Sequence, residues 1–133
     1  MPLTKDRNTP YRDGSQIEPP VAAGAKIFAG ALIVASATGF AEPGTTATGK
    51  TYLGLADEYV DNSDGADGDV TVKVKRGVAF LFKNSGSDPV TQASLGKVCY
   101  IVDDETVSAT DGSSTQSAAG IVIAIDSDGV WIQ

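Results

Sequence analysis

The stretch that decides the fold is the last one in the chain, AAGIVIAIDSDGVWIQ, residues 118–133. Two short apolar runs, residues 121–125 and 130–132, flank a polar turn that ends in Asp128-Gly129. Short runs bounded by turn residues are typical of strands, and Asp-Gly often closes a tight hairpin because glycine accepts positive φ. The sequence therefore predicts a C-terminal β-hairpin whose apolar runs, with Trp131, belong to the core of a sheet.

Similar short apolar runs, separated by Gly, Ser, Thr and Asp, continue towards the N-terminus at residues 26–35, 51–60, 70–76, 78–82 and 97–102. The run at 70–76 alternates strictly, with Val70, Val72 and Val74 on one face, as a half-buried strand does. Many short strands joined by turns are typical of sheets packed or closed on themselves. We predict an all-β fold over residues 21–133, one domain formed as a small β-barrel or β-sandwich of short antiparallel strands.

A weak internal repeat runs through this domain. Gly30 and Gly96 each precede an apolar run and lie 66 residues apart, and Gly54 and Gly120 have the same separation. Each half then reaches an acidic turn that contains glycine. The pattern predicts two copies of a strand–loop–strand unit, which suits a closed or two-layered β architecture.

Residues 1–20 differ in composition from the rest and are predicted to be an extended or disordered N-terminal arm. They contain four of the six prolines, which favour extended backbone, and few large apolar side chains. Two interpretations remain open. The segment is either a disordered tail, or an arm that becomes ordered against a partner with Tyr11 and Ile17 as anchors.

The composition argues against several classes of function. A net charge of −7 does not suit binding to nucleic acid or to anionic membrane surfaces. The chain has no histidine, which removes Ser-His-Asp and Cys-His catalysis and the usual zinc sites. Its single cysteine, Cys99, lies in an apolar run and is predicted to be buried. Neither a secretory signal nor an apolar stretch long enough for a membrane span is found, so we expect an intracellular protein or a component of an assembly built inside a cell.

Three motifs carry possible chemistry, and each has a simpler interpretation. The acidic loop Asp61–Asp69 offers the oxygen ligands of a calcium loop, but it lacks the closing glutamate and flanking helices, so a solvated turn is favoured. Residues 44–51 match the Gly-x-x-x-x-Gly-Lys-Thr pattern of a phosphate loop without the helix that should follow. The adjacent acids at 103–105 are expected to splay apart and cannot flank one bond. We therefore expect no catalytic residue, no cofactor and no metal, and a protein that is not an enzyme.

The only basic cluster comprises Lys73, Lys75 and Arg76 on the exposed side of the alternating strand. Such a row of charges either is simply solvated and discourages edge pairing, or contacts an acidic partner surface.

The order of several segments resembles the structural cement, or head-decoration, proteins of tailed bacteriophages and prophages. The similarity covers about residues 21–133 and rests mainly on Gly-Lys-Val-Cys-Tyr-Ile-Val-Asp-Asp at 96–104 and Gly-Ile-Val-Ile-Ala-Ile-Asp-Ser-Asp-Gly-Val-Trp-Ile at 120–132. It implies a β-rich protein, made in the bacterial cytoplasm, that binds the outer surface of the virion head. There it would clamp subunits of the major capsid protein, commonly as a homotrimer and without nucleic acid or membrane.

In related decoration proteins an N-terminal arm becomes ordered on the capsid. By position, that role corresponds here to the region of Thr9, Pro10, Tyr11 and Ile17, with the basic cluster as a further candidate contact. The alternative from another class is a carbohydrate- or receptor-binding β module of a phage tail or fibre. Such a module would need exposed aromatic side chains around a groove, for which the candidates are Tyr11, Tyr52, Tyr59 and Trp131.

Overall fold

The computed structural model describes residues 2–133 and confirms the all-β prediction. Within these residues the helical content is one 3-10 turn at Gln92–Ser94. No helix in this part of the chain is long and apolar enough to cross a membrane. The strands are β1 Gln16–Ile17, β2 Lys26–Ile27, β3 Leu32–Ala35, β4 Ala41–Pro43, β5 Thr51–Ala56, β6 Val60–Asp61, β7 Val74–Lys75, β8 Phe80–Asn84, β9 Val98–Ile101, β10 Thr106–Ser108, β11 Ala118–Asp126 and β12 Gly129–Ile132.

The first half of the domain, here called the first unit (residues 15–76), contains a five-stranded sheet in the order β1-β7-β5-β3-β4. Neighbouring strands in it are antiparallel. Just after β1, Val21 forms a parallel bridge to Ala41 of β4, and the Ala22 N–H donates to the Ala41 carbonyl at 2.9 Å. The chain after β1 therefore links the two ends of the sheet, which curls into an almost closed barrel.

The second unit (residues 79–133) is a closed barrel in the order β10-β8-β12-β11-β9. Its neighbouring strands are antiparallel except β8 and β10, which run parallel with Asn84 opposite Val107. A closed ring of five strands cannot alternate in direction all the way round. One parallel pair is therefore required, and it is the one departure from the predicted antiparallel arrangement.

The predicted repeat is confirmed by the strand register, because the two units share one strand plan. Strands β3, β4 and β5 correspond to β9, β10 and β11 with a shift of 66 residues. The corresponding pairs are Leu32–Leu55 and Val98–Ile121, Val34–Tyr52 and Tyr100–Ala118, and Ala35–Ala41 and Ile101–Val107. The parallel closure corresponds as well, since Val21–Ala41 in the first unit matches Asn84–Val107 in the second.

The repeated glycines lie where the backbones of neighbouring strands come closest. A Cβ on Gly54 would lie 2.1 Å from the Lys75 carbonyl oxygen, and one on Gly120 would lie 2.6 Å from the Gln133 carbonyl oxygen. Each glycine therefore lets the third strand of its unit approach the last segment of that unit. Gly54 also has a φ of +145°, which side chains rarely tolerate.

Two hydrophobic cores lie on either side of β3. Ile33 packs in the core of the first unit with Ile27, Val72 and Val74. Its neighbours Leu32 and Val34 instead join the core of the second unit. Because side chains alternate along a strand, β3 lines its own barrel with one face and packs against the other barrel with its opposite face.

The C-terminal hairpin forms as predicted, with Asp126 opposite Gly129 across the turn. The expectation that its whole first apolar run lies in the core is wrong. Val122 is fully buried, but Ile121 and Ile123 are 39% and 46% exposed. The run is one strand of a barrel, so successive side chains point alternately inward and outward.

The alternation predicted at residues 70–76 appears in burial. Val72 and Val74 are buried and the lysines between and after them are exposed. Regular ladder pairing is confined to β7, with an isolated bridge between Thr71 and Pro20.

Candidate interaction surfaces

The N-terminal arm has two parts. Residues 2–14 are exposed along their whole length, and their hydrogen bonds are local, such as the one from the Arg7 guanidinium to the Thr9 hydroxyl at 2.8 Å. Thr9 and Pro10 lie in this exposed part, and the Tyr11 side chain is 98% exposed. This part of the arm therefore presents its side chains and its extended backbone to solvent.

From Ser15 onward the arm belongs to the first unit. The Arg76 N–H donates to the Ser15 carbonyl at 2.9 Å, and Ile17 lies opposite Val74 in the sheet. The Ile17 side chain is half-buried against the core of the first unit. The expectation that Ile17 anchors the arm on a partner is corrected, because the domain itself uses this side chain.

The basic cluster is exposed but only partly available. Lys75 forms an ion pair with Asp57 at 3.4 Å. The Lys73 N–H donates to the Glu58 carboxylate at 3.3 Å, which holds that carboxylate near the lysine. Arg76 lines a cleft of about 540 Å³ between the two units, opposite the β11 residues 118–121. The three side chains therefore do not form one continuous basic patch.

The outer surface of the second barrel carries an apolar patch, here called the open face, which consists of Val98, Ile121 and Ile123. Val98 lies directly opposite Ile121 in the β9–β11 ladder, and Ile123 follows two residues later on the same side of β11. All three are at least 37% exposed. An apolar patch built from adjacent strands is a candidate contact surface. Period-two alternation was the sequence signal for it, but an unbroken apolar run conceals that period.

A second exposed patch is an aromatic pair that the sequence did not reveal. Phe28 and Tyr59 flank the paired strands β2 and β6, with ring centroids 5.5 Å apart and planes tilted by 46°. Both rings are more than half exposed. Phe28 also borders a shallow hollow of about 390 Å³ that is lined by Asp104 and Glu105. Burial raises the pKa of Asp104, and the neighbouring Asp103 charge adds to the effect.

The other aromatic candidates are less available. Tyr52 is half-buried against the second core, and its hydroxyl has no hydrogen-bond partner among the described residues. Trp131 is half-buried and donates its indole N–H to Asp126 Oδ2 at 3.0 Å. This hydrogen bond, followed by that of the Asp128 N–H, lowers the pKa of Asp126.

The acidic loop Asp61–Asp69 uses its polar groups to hold the domain together. The buried Asn62 amide donates to the carbonyls of Ala22 and Ala66, at 2.9 and 3.0 Å. Asp67 accepts a hydrogen bond from the Ala23 N–H at 2.7 Å. Within residues 2–133 no group of three or more acidic or cysteine side chains is arranged to hold a metal ion. The loop therefore acts as a connector whose oxygens are largely engaged.

The two remaining motifs also have structural roles. Residues 44–50 connect β4 directly to β5, so no helix follows the phosphate-loop pattern, and Lys50 forms an ion pair with Glu42. The 103–105 turn joins β9 to β10, where Glu105 pairs with Lys83 at 2.6 Å. Cys99 is fully buried as predicted, and burial raises the pKa of its thiol to about 12.

Comparison with known proteins adds no relative. No protein-family model, no curated protein and no solved structure matches this chain.

Proposed function

We propose that this protein is a non-enzymatic capsid decoration protein that binds the outer surface of a phage head and stabilises contacts between major capsid protein subunits. Its place would be the virion surface, after synthesis in the bacterial cytoplasm. The proposal rests on the resemblance of residues 96–104 and 120–132 to cement proteins, and on a domain that displays surfaces suited to docking.

The observation that carries the proposal is the exposed arm. Residues 2–14 are extended and make no contact with either core, whereas the chain from Ser15 onward is fixed in the sheet. An extended segment can add a strand to a partner sheet through backbone hydrogen bonds, with alternate side chains such as Tyr11 entering pockets. A weak contact of this kind gains strength when many copies act on one shell.

The test is co-sedimentation with expanded, empty heads of a phage whose genome encodes this chain, followed by thermal melting of the shells. We expect the protein to sediment with the shells and to raise their melting temperature. Tyr11→Ala should weaken binding, whereas Thr91→Ala, an exposed change in the second unit, should not. Failure of the unchanged protein to bind these shells would overturn the proposal.

A second candidate function is carbohydrate or receptor binding by a tail or fibre module. The specific observation in its favour is the exposed Phe28–Tyr59 pair beside the carboxylates of Asp104 and Glu105. Aromatic faces stack on sugar rings and carboxylates accept hydrogen bonds from hydroxyl groups. Binding on a glycan array that Phe28→Ala abolishes, together with no affinity for heads, would favour this function over the first.

A further inference from the structure

The strand plan shared by the two units makes each outer surface of one unit comparable with its counterpart in the other. In the first unit the outer face of β3 and β5 consists of Leu32, Val34, Tyr52 and Leu55. The second unit covers this face, since all four side chains pack with its core. Leu32 and Val34 are fully buried there.

The same face of the second unit is exposed to solvent. Val98 and Ile121 occupy the positions of Leu32 and Leu55 in the ladder, and both remain apolar. They are 37% and 39% exposed, because within residues 2–133 no third unit follows. In arrays of stacked units, a terminal unit usually carries a polar outer face. The open face lacks that feature.

Neighbouring outer positions strengthen this contrast. Three positions that are charged and exposed in the first unit are apolar in the second, although the second barrel has no further unit in the chain to cover them. The replaced residues, aligned by register, are Asp57 by Ile123, Glu18 by Leu81, and Lys73 by Trp131. A solvated surface would be expected to retain the charges, whereas the centre of an interface is depleted of them.

We propose that the open face of Val98, Ile121 and Ile123 packs against the first unit of a second copy of this chain. The geometry is the one by which the first unit already packs against the second within each chain. There the Leu32 N–H donates to the Asp104 carbonyl at 2.8 Å, in the turn between β9 and β10. Applied to the next copy, the 66-residue shift places Val98 beside Thr38, in the turn between β3 and β4 of that copy.

This contact joins two different surfaces, so it is heterologous. Such contacts form a closed ring when the rotation between copies closes, and an open chain when it does not. The inference concerns the protein alone and does not depend on the proposed binding to capsids. Failure of self-association and failure of capsid binding would therefore be separate results.

The first experiment measures the mass of the full chain in solution by sedimentation equilibrium over a wide concentration range. We expect an oligomer, and we expect Ile121→Ser to weaken its association roughly tenfold or more, as loss of a central apolar contact does. Leu3→Ser removes an equally exposed apolar side chain from the arm and should leave association unchanged. A monomer at every concentration, or an oligomer insensitive to Ile121→Ser, would overturn the proposal.

The second experiment fixes the orientation of the copies. The variants Val98→Cys and Thr38→Cys are prepared separately, mixed and oxidised, and the native Cys99 is fully buried. A disulfide between the two different variants supports the head-to-tail contact. Efficient cross-linking of Val98→Cys to itself, with none to Thr38→Cys, would instead indicate a two-fold dimer and contradict the assignment. Since both substituted side chains are exposed, loss of folding is not expected to obscure either result.

Discussion

Leu32 and Ile33 are consecutive residues of β3, yet their side chains lie in different hydrophobic cores. Both are fully buried. Ile33 helps to fill the first barrel, whereas Leu32 joins the first barrel to the second. The two units are therefore coupled through the outer face of a single short strand.

The equivalence of Leu32 and Val98 gives the first prediction. Leu32→Ala should lower the free energy of unfolding by about 2–5 kcal/mol, because it leaves a cavity between the two units. Val98→Ala changes the corresponding position on the open face and should cost less than about 1 kcal/mol in the monomer, because that side chain is already partly solvated. Chemical denaturation at low protein concentration measures both values. Equal costs would show that the two units are not coupled through this face.

The repeated glycines give the second prediction. Gly54→Ala should destabilise the protein by roughly 2 kcal/mol or more, since the added Cβ would overlap the Lys75 carbonyl and the backbone has positive φ. Gly120→Ala should also destabilise it, but less, because its closest atom is farther away and its φ is not positive. Gly86→Ala is the matched control, with open space around the added methyl group. Thermal melting of the three variants measures this order, and a neutral Gly54→Ala would contradict it.

The buried Tyr52 hydroxyl gives the third prediction. Burial, with a smaller effect from Cys99, raises the pKa of Tyr52 from 10.0 to about 12. The unfolded chain therefore ionises this group first. The stabilising contribution of the neutral hydroxyl is complete below pH 10 and is lost as the pH rises from 10 through 12.

Tyr52→Phe should accordingly flatten the loss of stability in this pH range, leaving the part due to Cys99. At pH 7 it should leave stability unchanged or raise it by up to about 1 kcal/mol, because the hydroxyl has no partner among residues 2–133. Unfolding free energies measured from pH 7 to 11.5 test both effects. Tyr11→Phe, at an exposed position, should reproduce the profile of the unchanged protein. A marked loss of stability in Tyr52→Phe at pH 7 would show that the hydroxyl does have a partner.

The arm gives the fourth prediction, which depends on where the chain is cut. Removal of residues 2–14 should leave the melting temperature unchanged, because this segment contacts neither core. Removal of residues 2–20 also deletes β1 and the bridge at Pro20 and exposes the edge of β7. This longer deletion should cost about 2 kcal/mol or more in lost hydrogen bonds and Ile17 packing. Calorimetry of the two truncated chains distinguishes the segments, and identical melting would show that β1 does not contribute to stability.

Local patterns predicted much of the architecture. The turn at Asp128-Gly129 and the alternation of Val72 and Val74 each identified a strand, and the spacing of Gly54 and Gly120 identified the repeat. The apolar run at 121–125 was harder to interpret, because a barrel strand can be apolar on both faces when its outer face meets another protein surface.

Other features depend on contacts that a linear pattern does not contain. Phe28 and Tyr59 meet only because Ile27 lies opposite Val60, a pairing between two-residue strands with no repeat to predict it. Ile17 lies in a proline-rich segment, and its place in the sheet depends on β7, which lies far along the chain. The assignment of an interface to Ile121 needed the registers of both barrels.

The covering of Leu32 by the second unit has a consequence for synthesis on the ribosome. The strands of the first barrel are complete once Lys75 has emerged, so this half can begin to fold while the rest of the chain is still being made. Until the second barrel is finished, however, Leu32, Val34 and Leu55 remain exposed to water. Nascent chains at this stage would carry a sticky surface, and slow translation between residues 76 and 133 should favour aggregation of the half-made protein.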